Sequence, residues 1–402
     1  MRRSLCLVAF IATLTAALSL TVPIAGAGGS ARHIVVLKDS ANPGATARDH
    51  ARSYGAEVSH VYRSALKGYA AVIPAARIDD VRNDARVDYL SADRDVSLAA
   101  QTLPTGINRI DGELSSTVSG NGSGSVSVDV AVIDTGIDLD HPDLNVVGGR
   151  NCSTGRSFDD GNGHGSHVAG TIAAKDDTQG VVGVAPGARL YAVRVLNNAG
   201  SGSFSSVVCG VDWVTANAST IEVANMSLGG TGSEPRGGGC STGDALHDAI
   251  CTSVAAGVTY AVAAGNESDN AANHVPAAYD EVITVSALAD FDGRPGGLGA
   301  PTCRSDVDDT FADFSNFGSD IDLIAPGVCI LSTYKRGGYA TISGTSMASP
   351  HTAGAAALYK ANNPGASPAQ VKTALRSAGT TNWNDVDDPD STKEILVNVD
   401  AF

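Results

Sequence analysis

Short apolar runs of strand length alternate with longer segments rich in small residues along positions 100–402. The apolar runs predict five strands: Val126–Ile133, Arg189–Val195, Glu222–Met226, Thr259–Ala264 and Val282–Val285. The segments between them predict four helices: His164–Ala174, Ser203–Thr215, Asp244–Ala255 and Thr345–Ala361. Strands that alternate with helices indicate an α/β fold with three layers, in which a mainly parallel sheet carries helices on both faces. Ligand sites in such folds lie at the carboxyl ends of the strands.

The preceding part of the chain, from about Ala31 to Ser97, has the pattern of a small α+β unit. The pattern predicts strands and helices over these ranges: His33–Leu37 (strand), Thr46–Tyr54 (helix), Ala65–Ile73 (a pair of strands), Arg77–Asp84 (helix) and Val87–Leu90 (strand). About seventy residues without a cysteine form a domain of marginal stability on their own. A pro-segment is one interpretation of such a unit, and a permanent accessory domain is the other.

The first 27 residues have the three parts of an export signal. Met1–Arg3 is basic, Leu5–Ile24 is apolar, and Ala25-Gly26-Ala27 has the small residues of a cleavage site. A membrane anchor is the weaker interpretation, because hydroxyl residues and Pro23 interrupt the apolar run. No later segment is long and apolar enough to span a bilayer. We therefore predict a signal peptide over residues 1–27 and a secreted, extracellular product that does not bind membranes.

The charge of the chain is concentrated in its larger part. The whole sequence of 402 residues has a net charge of −16, with 17% charged and 43% apolar residues. Residues 100–402 contain 15 basic and 34 acidic side chains, a net charge of −19. A body this acidic argues against nucleic acid as a partner, because phosphates would be repelled. It is compatible with solubility outside the cell or with bound cations.

Six cysteines follow the signal peptide, and an even number in an oxidising compartment favours disulfides over metal thiolates. The sequence has no CxxC pair that would suggest a metal site. Six cysteines allow fifteen pairings. Closeness in sequence favours the bridges Cys240–Cys251 and Cys303–Cys329, which leaves Cys152–Cys209 as the third.

In the larger part of the chain, one polar residue follows the first predicted strand and another begins the first predicted helix. Asp134 closes the apolar run and must be paired if it is buried, either as a turn or helix cap or as an acceptor for a histidine N–H. His164 opens a helix and can face a cleft, whereas His167, one turn further, is expected to pack as a structural histidine. A zinc site of these two histidines is disfavoured, because no glutamate lies between them.

Two further polar residues complete the set. Asn266 follows Gly265 at the end of a strand, which is either an ordinary turn or a side-chain amide aimed at a developing oxyanion. Ser346 lies within the segment Gly344–His351, just before an alanine-rich run that predicts a helix. A serine there is either a helix N-cap or a nucleophile beside the unpaired N–H groups and the positive dipole of the helix N-terminus.

In the order Asp134, His164, Asn266 and Ser346, these motifs resemble the four signatures of the subtilisin-like serine proteases. The resemblance implies that Ser346 attacks the peptide carbonyl, His164 is the general base, Asp134 orients the imidazole, and Asn266 binds the oxyanion. Ser166 and Ser349 replace threonines of the family pattern. An esterase is disfavoured, because Ser346 lacks the G-x-S-x-G elbow. A catalytically inactive homologue or a secreted binding protein is the remaining alternative.

The resemblance also implies the division of the chain. Residues 28–99 are similar to the family's inhibitory propeptide, and residues 100–402 to its catalytic domain. The expected partners are polypeptide substrates and the chain's own propeptide, which is removed by autocleavage near Ala99–Gln101. The mature protein is expected to be a monomer.

Substrate binding is inferred from the same resemblance. In the family, segments like Ala199–Phe204 and Ser227–Gly230 are edge strands that sandwich an extended peptide. One wall of the S1 pocket, which takes the side chain before the cleaved bond (P1), is formed by residues like Ala263–Gly265, and its far end lies near His274. A roomy pocket without a committed charge predicts broad specificity with apolar or aromatic P1 residues. The predicted substrate-binding residues are Gly200, Ser201, Gly202, Phe204, Ser227, Leu228, Gly229, Ala263, Ala264 and Gly265.

Calcium is the cofactor that the resemblance suggests. Gln101, Asp143 and Asp177 offer oxygen donors for one Ca²⁺ site, and Asp322 resembles a ligand of a second, weaker cation site. A solvated acidic surface is the alternative for each. The acidic segment 290–313 resembles an insertion, and either a cation site or a disulfide-stapled surface loop would explain its composition. Met347, beside the nucleophile, is the expected point of oxidative inactivation.

Overall fold

The computed structural model describes residues 30–93, 100–235, 239–241, 243–390 and 392–402. The predicted signal peptide lies outside the described residues, as does Ala99 at the predicted cleavage site. The chain divides into two compact units at the bond between Leu98 and Ala99. Among the described residues, no helix combines the length and the apolar character that crossing a membrane requires.

The smaller unit is a four-stranded antiparallel sheet with two helices. Its elements are β1 (Ser30–Leu37), α1 (Pro43–Tyr54), β2 (Glu57–Tyr62), β3 (Gly68–Pro74), α2 (Ile78–Arg82) and β4 (Val87–Ala92), with strand order β2-β3-β1-β4. Its core is built on Val35, Tyr69, Ile73 and Val81, all fully buried. The predicted strand pair within Ala65–Ile73 is wrong, because that region forms β3 alone. Its partner β2 lies earlier, in a segment whose exposed polar residues and register shift hide the strand pattern.

The larger unit contains twelve strands and six helices among its described residues. The strands are β5 (Asp129–Asp134), β6 (Val146–Asn151), β7 (Arg189–Arg194), β8 (Val223–Met226), β9 (Gly230–Thr231), β10 (Thr259–Ala263), β11 (His274–Val275), β12 (Ile283–Ala289), β13 (Thr310–Phe311), β14 (Leu323–Pro326), β15 (Ile330–Tyr334) and β16 (Gly338–Ile342). The helices are α3 (Thr105–Arg109), α4 (His164–Ala173), α5 (Phe204–Ala216), α6 (Ala245–Ala255), α7 (Thr345–Asn362) and α8 (Pro368–Ala378).

These elements form a mainly parallel eight-stranded sheet in the order β13-β12-β10-β8-β5-β7-β6, with β14 beside β12. Only β13 runs antiparallel. The strand order reverses around β5, because β8 lies on one side of it and β7 on the other. The carboxyl end of β5 is therefore at a topological switch point, where sheets of this type bind their ligands.

The central strand β5 is buried on both faces, and its alternating side chains serve two different cores. Val130 and Val132 pack in the core that contains α4 and α7, whereas Ala131 and Ile133 pack in the core that contains α5 and α6. Successive side chains of a strand point to opposite faces, so a continuous apolar run is what a sheet covered on both sides requires. The predicted three-layer α/β fold is confirmed.

The structure has the two disulfides that locality favoured, Cys240–Cys251 and Cys303–Cys329, and the remaining pair, Cys152–Cys209. Their Cα atoms are 5.7–5.9 Å apart, within the range that a disulfide spans. The bridge between Cys303 and Cys329 ties the acidic segment 290–313 to the strand region before β15.

Candidate active site

Asp134 and His164 form a hydrogen-bonded pair at the carboxyl end of β5. Asp134 is the last residue of the strand and is fully buried. Its two carboxylate oxygens accept from His164 Nδ1 at 2.8 and 2.9 Å, and one also accepts from Thr135 N at 2.6 Å. The carboxylate therefore fixes the imidazole with Nδ1 protonated, which leaves Nε2 as the basic nitrogen.

Glycines let the histidine helix approach this carboxylate. Gly163, which precedes α4, has φ of +113°, and a Cβ there would collide with the ring of Tyr334. A Cβ on Gly165 would collide with the carbonyl oxygen of Gly136 and touch Asp134. The Gly-His-Gly pattern is thus a packing requirement that places His164 against β5.

Asp160 organises the loop that leads into α4, a role that the sequence did not reveal. This buried carboxylate accepts hydrogen bonds from Thr135 Oγ1, the backbone N–H groups of Asn162 and Gly163, and both N and Oγ of Ser166. An aspartate directly before Gly-Asn-Gly was the available signal. The hydroxyl of Ser166, where the family pattern has threonine, retains a partner at 2.6 Å.

The electrostatics of His164 favour its protonated form. Its side chain is 27% exposed. Burial lowers the pKa of this imidazole, but the charge and hydrogen bond of Asp134, together with the charge of Asp160, outweigh burial and raise it above the usual value. His167, in contrast, is fully buried and bonds through Nε2 to the carbonyl oxygens of Ile330 and Ala340. Burial lowers the pKa of His167 to about 4, as expected for a packed structural histidine.

Ser346 occupies the first turn of α7, where backbone N–H groups have no partner within the helix. Two reciprocal hydrogen bonds tie it to the end of β8. Ser227 Oγ donates to the carbonyl of Ser346 at 2.8 Å, and Ser346 Oγ donates to the carbonyl of Ser227 at 3.2 Å. Among the described residues, the Ser346 hydroxyl forms no hydrogen bond with His164. Rotation of that hydroxyl toward the imidazole is the movement that nucleophilic catalysis would require.

Asn225 holds Ser227 in place, and sequence analysis missed it. Its fully buried side chain donates to Ser227 Oγ at 2.9 Å and accepts from Ser349 Oγ at 2.8 Å. Asn225 therefore links β8 to α7 beneath Ser346. A lone asparagine within a buried strand was the signal, because a buried amide must be satisfied.

Asn266 is oriented by the N-terminus of α7. Its Oδ1 accepts from Thr345 N at 2.8 Å and from Thr345 Oγ1 at 3.1 Å. Gly265 N donates in turn to Thr345 Oγ1 at 3.1 Å. With Oδ1 engaged, the amide NH₂ of this exposed side chain remains as a donor beside Ser346.

Two adjoining cavities lie along these residues. A cavity of about 700 Å³ is lined by His164 and by the predicted residues Gly200, Ser201, Gly202, Phe204, Ser227, Leu228 and Gly229. A cavity of about 270 Å³ is lined by Ala263, Ala264, Gly265, Asn266, His274 and Ser346. Leu228, Gly229 and Gly230 border both cavities. The two predicted edge strands are absent as strands here: residues 199–203 form a turn and an extended connection, and Gly230 begins β9, which pairs with β11.

The smaller cavity carries a charge that the sequence interpretation did not foresee. Glu267, with a side chain 56% exposed, lines it together with His274. The Glu267 carboxylate accepts from Asn266 N at 2.8 Å and from Asn316 Nδ2 at 2.9 Å. His274 Nε2 lies 3.1 Å from Asp269. The prediction that the S1 pocket has no charged side chain is therefore corrected, because the turn after Asn266 brings the Glu267 carboxylate back toward the cavity.

Gln101 and Asp143 converge on the loop at residues 175–181. Gln101 Nε2 donates to the carbonyls of Lys175 and Val181, and Asp143 Oδ2 accepts from Val181 N at 2.9 Å. Gln101 Oε1 and Asp143 Oδ1 are both buried without a hydrogen-bond partner in the described chain. Burial raises the pKa of Asp143. Orphaned oxygen donors of this kind fit a hard cation such as Ca²⁺. Asp177, the third predicted ligand, is exposed and accepts from Gln179 N.

Asp322 is already neutralised. Its carboxylate lies 2.7 Å from Lys372 Nζ and 3.0 Å from Arg376 Nη1. Two cationic partners at this distance disfavour the predicted second cation site there, because a metal ion would have to displace them.

The acidic insertion contains carboxylates that could hold a metal. Asp290, Asp292 and Asp308 offer oxygens within 4.8 Å of one another. However, Arg109 Nε lies 3.1 Å from Asp290, and the same guanidinium pairs with Asp309 at 2.7 Å. The buried Arg109 thus supplies positive charge to this loop from within the chain.

A parallel α/β sheet with a carboxylate-bound histidine at its switch point, and with a serine at a helix N-terminus in the adjoining cavity, has the groups of a serine hydrolase. Comparison with known proteins gives a more specific result. The sequence model of the subtilase family matches residues 125–393, and that of the peptidase inhibitor I9 family matches residues 32–99.

Individual relatives agree with these matches. Subtilisin DY of Bacillus licheniformis is 42% identical over 285 residues, which cover 70% of this chain and 93% of the relative. Subtilisin E of Bacillus subtilis is 38% identical over 357 residues, which cover 87% and 85%. The crystal structure of a cold adapted subtilisin-like serine proteinase matches at 35% identity with a TM-score of 0.57, over 77% of this chain and 93% of that one. The chain belongs to the subtilase family and is a serine endopeptidase with an I9-type propeptide.

Proposed function

We propose that the chain is a secreted endopeptidase of broad specificity that acts through a triad of Asp134, His164 and Ser346. The observation that carries this proposal is the Asp134–His164 pair at the switch point. His164 lines the larger cavity and Ser346 lines the smaller one, and Leu228, Gly229 and Gly230 border both. The hydrogen bonds between β8 and α7 support it, because they hold the Ser346 backbone in a fixed position. An enzyme gains most from groups that are oriented before the substrate arrives.

In the proposed mechanism, Ser346 Oγ turns from the Ser227 carbonyl toward His164 Nε2 and attacks the peptide carbonyl. His164 accepts the hydroxyl proton and later delivers it to the leaving amine. Asp134 keeps the imidazole in the required tautomer and stabilises its charged form. The oxyanion receives hydrogen bonds from Asn266 Nδ2 and Ser346 N. Water, with His164 as its base, then attacks the acyl carbon; the ester bond to Ser346 Oγ breaks, the carboxylic acid product leaves, and His164 returns the proton to Oγ.

Substrates are proposed to be extended polypeptides that lie along Gly200–Gly202 and Ser227–Gly229. Glycine and extended backbone along both sides of the larger cavity support pairing with a peptide main chain. The smaller cavity is proposed to take the P1 side chain. Its walls of Ala263 and Ala264 suit apolar groups, and Glu267 extends the range toward basic ones.

Export and maturation are proposed to follow the division of the chain. Residues 1–27 direct secretion, residues 28–99 fold as the inhibitory propeptide, and autocleavage near Ala99–Gln101 releases the monomeric catalytic domain 100–402. The I9 match over residues 32–99 and the separate core of the smaller unit support this order. Ca²⁺ bound by Gln101 and Asp143, with Asp177 nearby, would stabilise the mature fold by coordinating two buried oxygens that lack a hydrogen-bond partner in the described chain.

The test is Ser346→Ala in the full chain, with Ser343→Ala as the matched control. Casein hydrolysis by Ser346→Ala should fall by roughly 10⁶-fold in kcat, with the propeptide left uncleaved. Ser343 is three residues upstream, and in the part of the chain that the structure describes its hydroxyl bonds to Cys329 N and the Cys303 sulfur and not to the triad, so its variant should keep parental activity. Activity of Ser346→Ala within tenfold of the parent would refute the proposal.

A further inference from the structure

Three metal-ligating side chains meet beside the N-terminus of α6. Glu234 follows β9, His247 lies in the first turn of α6, and Glu281 lies just before β12. One donor atom of each residue lies within 4.8 Å of the donor atoms of the other two. None of the three residues lines either cavity of the candidate active site. This Glu-His-Glu group is therefore separate from that site.

A single nitrogen of His247 faces both carboxylates. Its Nε2 lies 2.7 Å from Glu281 Oε2 and 3.9 Å from Glu234 Oε1. The imidazole is fully buried and stacks on the ring of Tyr279, with the ring centroids 4.3 Å apart. Its other nitrogen, Nδ1, has no hydrogen-bond partner in the described chain. Stacking and burial thus hold the ring with Nε2 directed at the place where two carboxylate oxygens converge.

Glu234 brings an oxygen without a partner to this place. Its Oε1 is buried and forms no hydrogen bond within the described chain. Burial, followed by the charge of Asp280, raises the pKa of Glu234. Among the residues that the structure describes, no lysine or arginine pairs with Glu234 or Glu281, and His247 is the partner of both. Two carboxylates thus share one imidazole, which carries at most one positive charge, and a cation would balance the remainder.

We propose that Glu234, His247 and Glu281 bind a divalent metal ion of the zinc class. Zn²⁺ accepts imidazole nitrogen together with carboxylate oxygen, whereas Ca²⁺ takes oxygen donors alone. Zn²⁺ bonds of about 2.0–2.2 Å place tetrahedral ligands roughly 3.3 Å apart. The contact of 2.7 Å would therefore open, and that of 3.9 Å would close, each by only about 0.6 Å. The proposal does not depend on peptidase activity.

Solvent can reach the group from the side of the glutamates. The side chains of Glu234 and Glu281 are 23% and 18% exposed, whereas that of His247 is buried. The ion therefore has a route of entry, and water can supply its fourth ligand.

His274 also lies between two carboxylates but lacks this geometry. Its Nδ1 is 3.6 Å from Glu267, whereas its Nε2 is 3.1 Å from Asp269. The two nitrogens of an imidazole point in different directions, so an ion bound to one of them cannot reach both carboxylates. His274 is therefore a matched control for His247.

The position of the Glu-His-Glu group indicates what the ion would stabilise. Glu234 lies three residues after β9, whose Gly230 borders both cavities. The bridge Cys240–Cys251 ties the connection between β9 and α6 to that helix, and the Cys240 sulfur lies 3.7 Å from Glu281 Oε1. The ion would form a second cross-link of this connection, which joins it to α6 and to the start of β12.

The experiment titrates Co²⁺ into the full chain that carries Ser346→Ala, which prevents autolysis, with Ca²⁺ present to occupy oxygen-only sites. Co²⁺ replaces Zn²⁺ at sites of this type and has a visible absorption band when few ligands surround it. The proposal predicts a saturable band at one equivalent of Co²⁺, which Zn²⁺ abolishes. In the same background, Glu234→Gln and His247→Gln should each lose most of the band, whereas His274→Gln should keep it.

The melting temperature supplies a second readout. Zn²⁺ should raise it in the Ser346→Ala protein and in His274→Gln but not in Glu234→Gln, because only an ion that binds the folded state stabilises that state. Without Zn²⁺, Glu234→Gln should melt no lower than the Ser346→Ala protein, because one of two neighbouring carboxylates has lost its charge.

A Co²⁺ band that is unchanged in Glu234→Gln would overturn the proposal, as would the absence of a saturable band in the Ser346→Ala protein. Loss of the band in His274→Gln would place the ion beside the active site and would also overturn it. A cobalt–thiolate charge-transfer band would do the same, because the ligands would then be reduced Cys240 and Cys251. If His247→Gln fails to fold, the partly exposed Glu234 decides the test through Glu234→Gln alone.

Discussion

Replacement of Asn266 separates two roles that its side chain combines. Its NH₂ group is the proposed oxyanion donor, and its Oδ1 caps the N–H of the fully buried Thr345. Asn266→Ala removes both groups. Loss of one oxyanion donor in enzymes of this type costs roughly 2.7–4 kcal/mol, or about 10²–10³-fold in kcat, with little change in KM. The orphaned Thr345 N–H costs about 1–3 kcal/mol of folding stability in addition.

Asn266→Asp is the matched control, because it retains the oxygen that accepts from Thr345 and loses only the donor. It should keep the parental melting temperature but lose at least as much kcat as Asn266→Ala, since a carboxylate repels the forming oxyanion. The assay measures kcat and KM on a chromogenic peptide anilide, with the melting temperature of each variant. If both variants keep kcat within tenfold of the parent and only Asn266→Ala is destabilised, Asn266 is a helix cap and the oxyanion role is refuted.

Three further predictions concern pH, oxidation and metal. The acid limb of the pH profile of kcat/KM should have its midpoint above about pH 6.5, because neutral His164 is the base and Asp134 raises the pKa of its imidazole against the effect of burial. Asp134→Asn should lower this midpoint and reduce kcat by about 10⁴-fold. A midpoint that does not move in this variant would contradict the role assigned to Asp134. Peroxide should inactivate the parent but not Met347→Ala, because the buried thioether of Met347 adjoins the nucleophile. Equal loss of activity in both proteins would reject this prediction. Asp143→Asn should bind one equivalent of calcium less per chain after dialysis, measured by elemental mass spectrometry, and an unchanged content would exclude that site.

The elements that the sequence predicts are those with a strong local pattern. The apolar run of β5 and the alanine-rich run of α7 each predict their own element. Asp134 at the end of β5 and Ser346 at the start of α7 can therefore be placed from the sequence. β6 was missed because Gly148 and Gly149 weaken its pattern. A Cβ on Gly149 would collide with the carbonyl of Ala192, so the glycine is required by the neighbouring strand β7 and not by local preference.

The residues that sequence analysis missed owe their roles to tertiary contacts. Asp160 collects hydrogen bonds from residues on both sides of it, and Asn225 joins two elements that are more than one hundred residues apart. Glu267 reaches the smaller cavity only because the chain turns after Asn266. Motif spacing carries no information about any of these contacts.

Covalent labelling by a serine-directed phosphonyl fluoride tests the central claim most directly. The label should appear on Ser346, at one equivalent per active chain, in parallel with loss of peptide hydrolysis. Its rate of attachment should fall by orders of magnitude in His164→Ala, because the nucleophile would lack its base. Complete inactivation with the label on another residue, or stoichiometric labelling of Ser346 that leaves hydrolysis intact, would contradict the account.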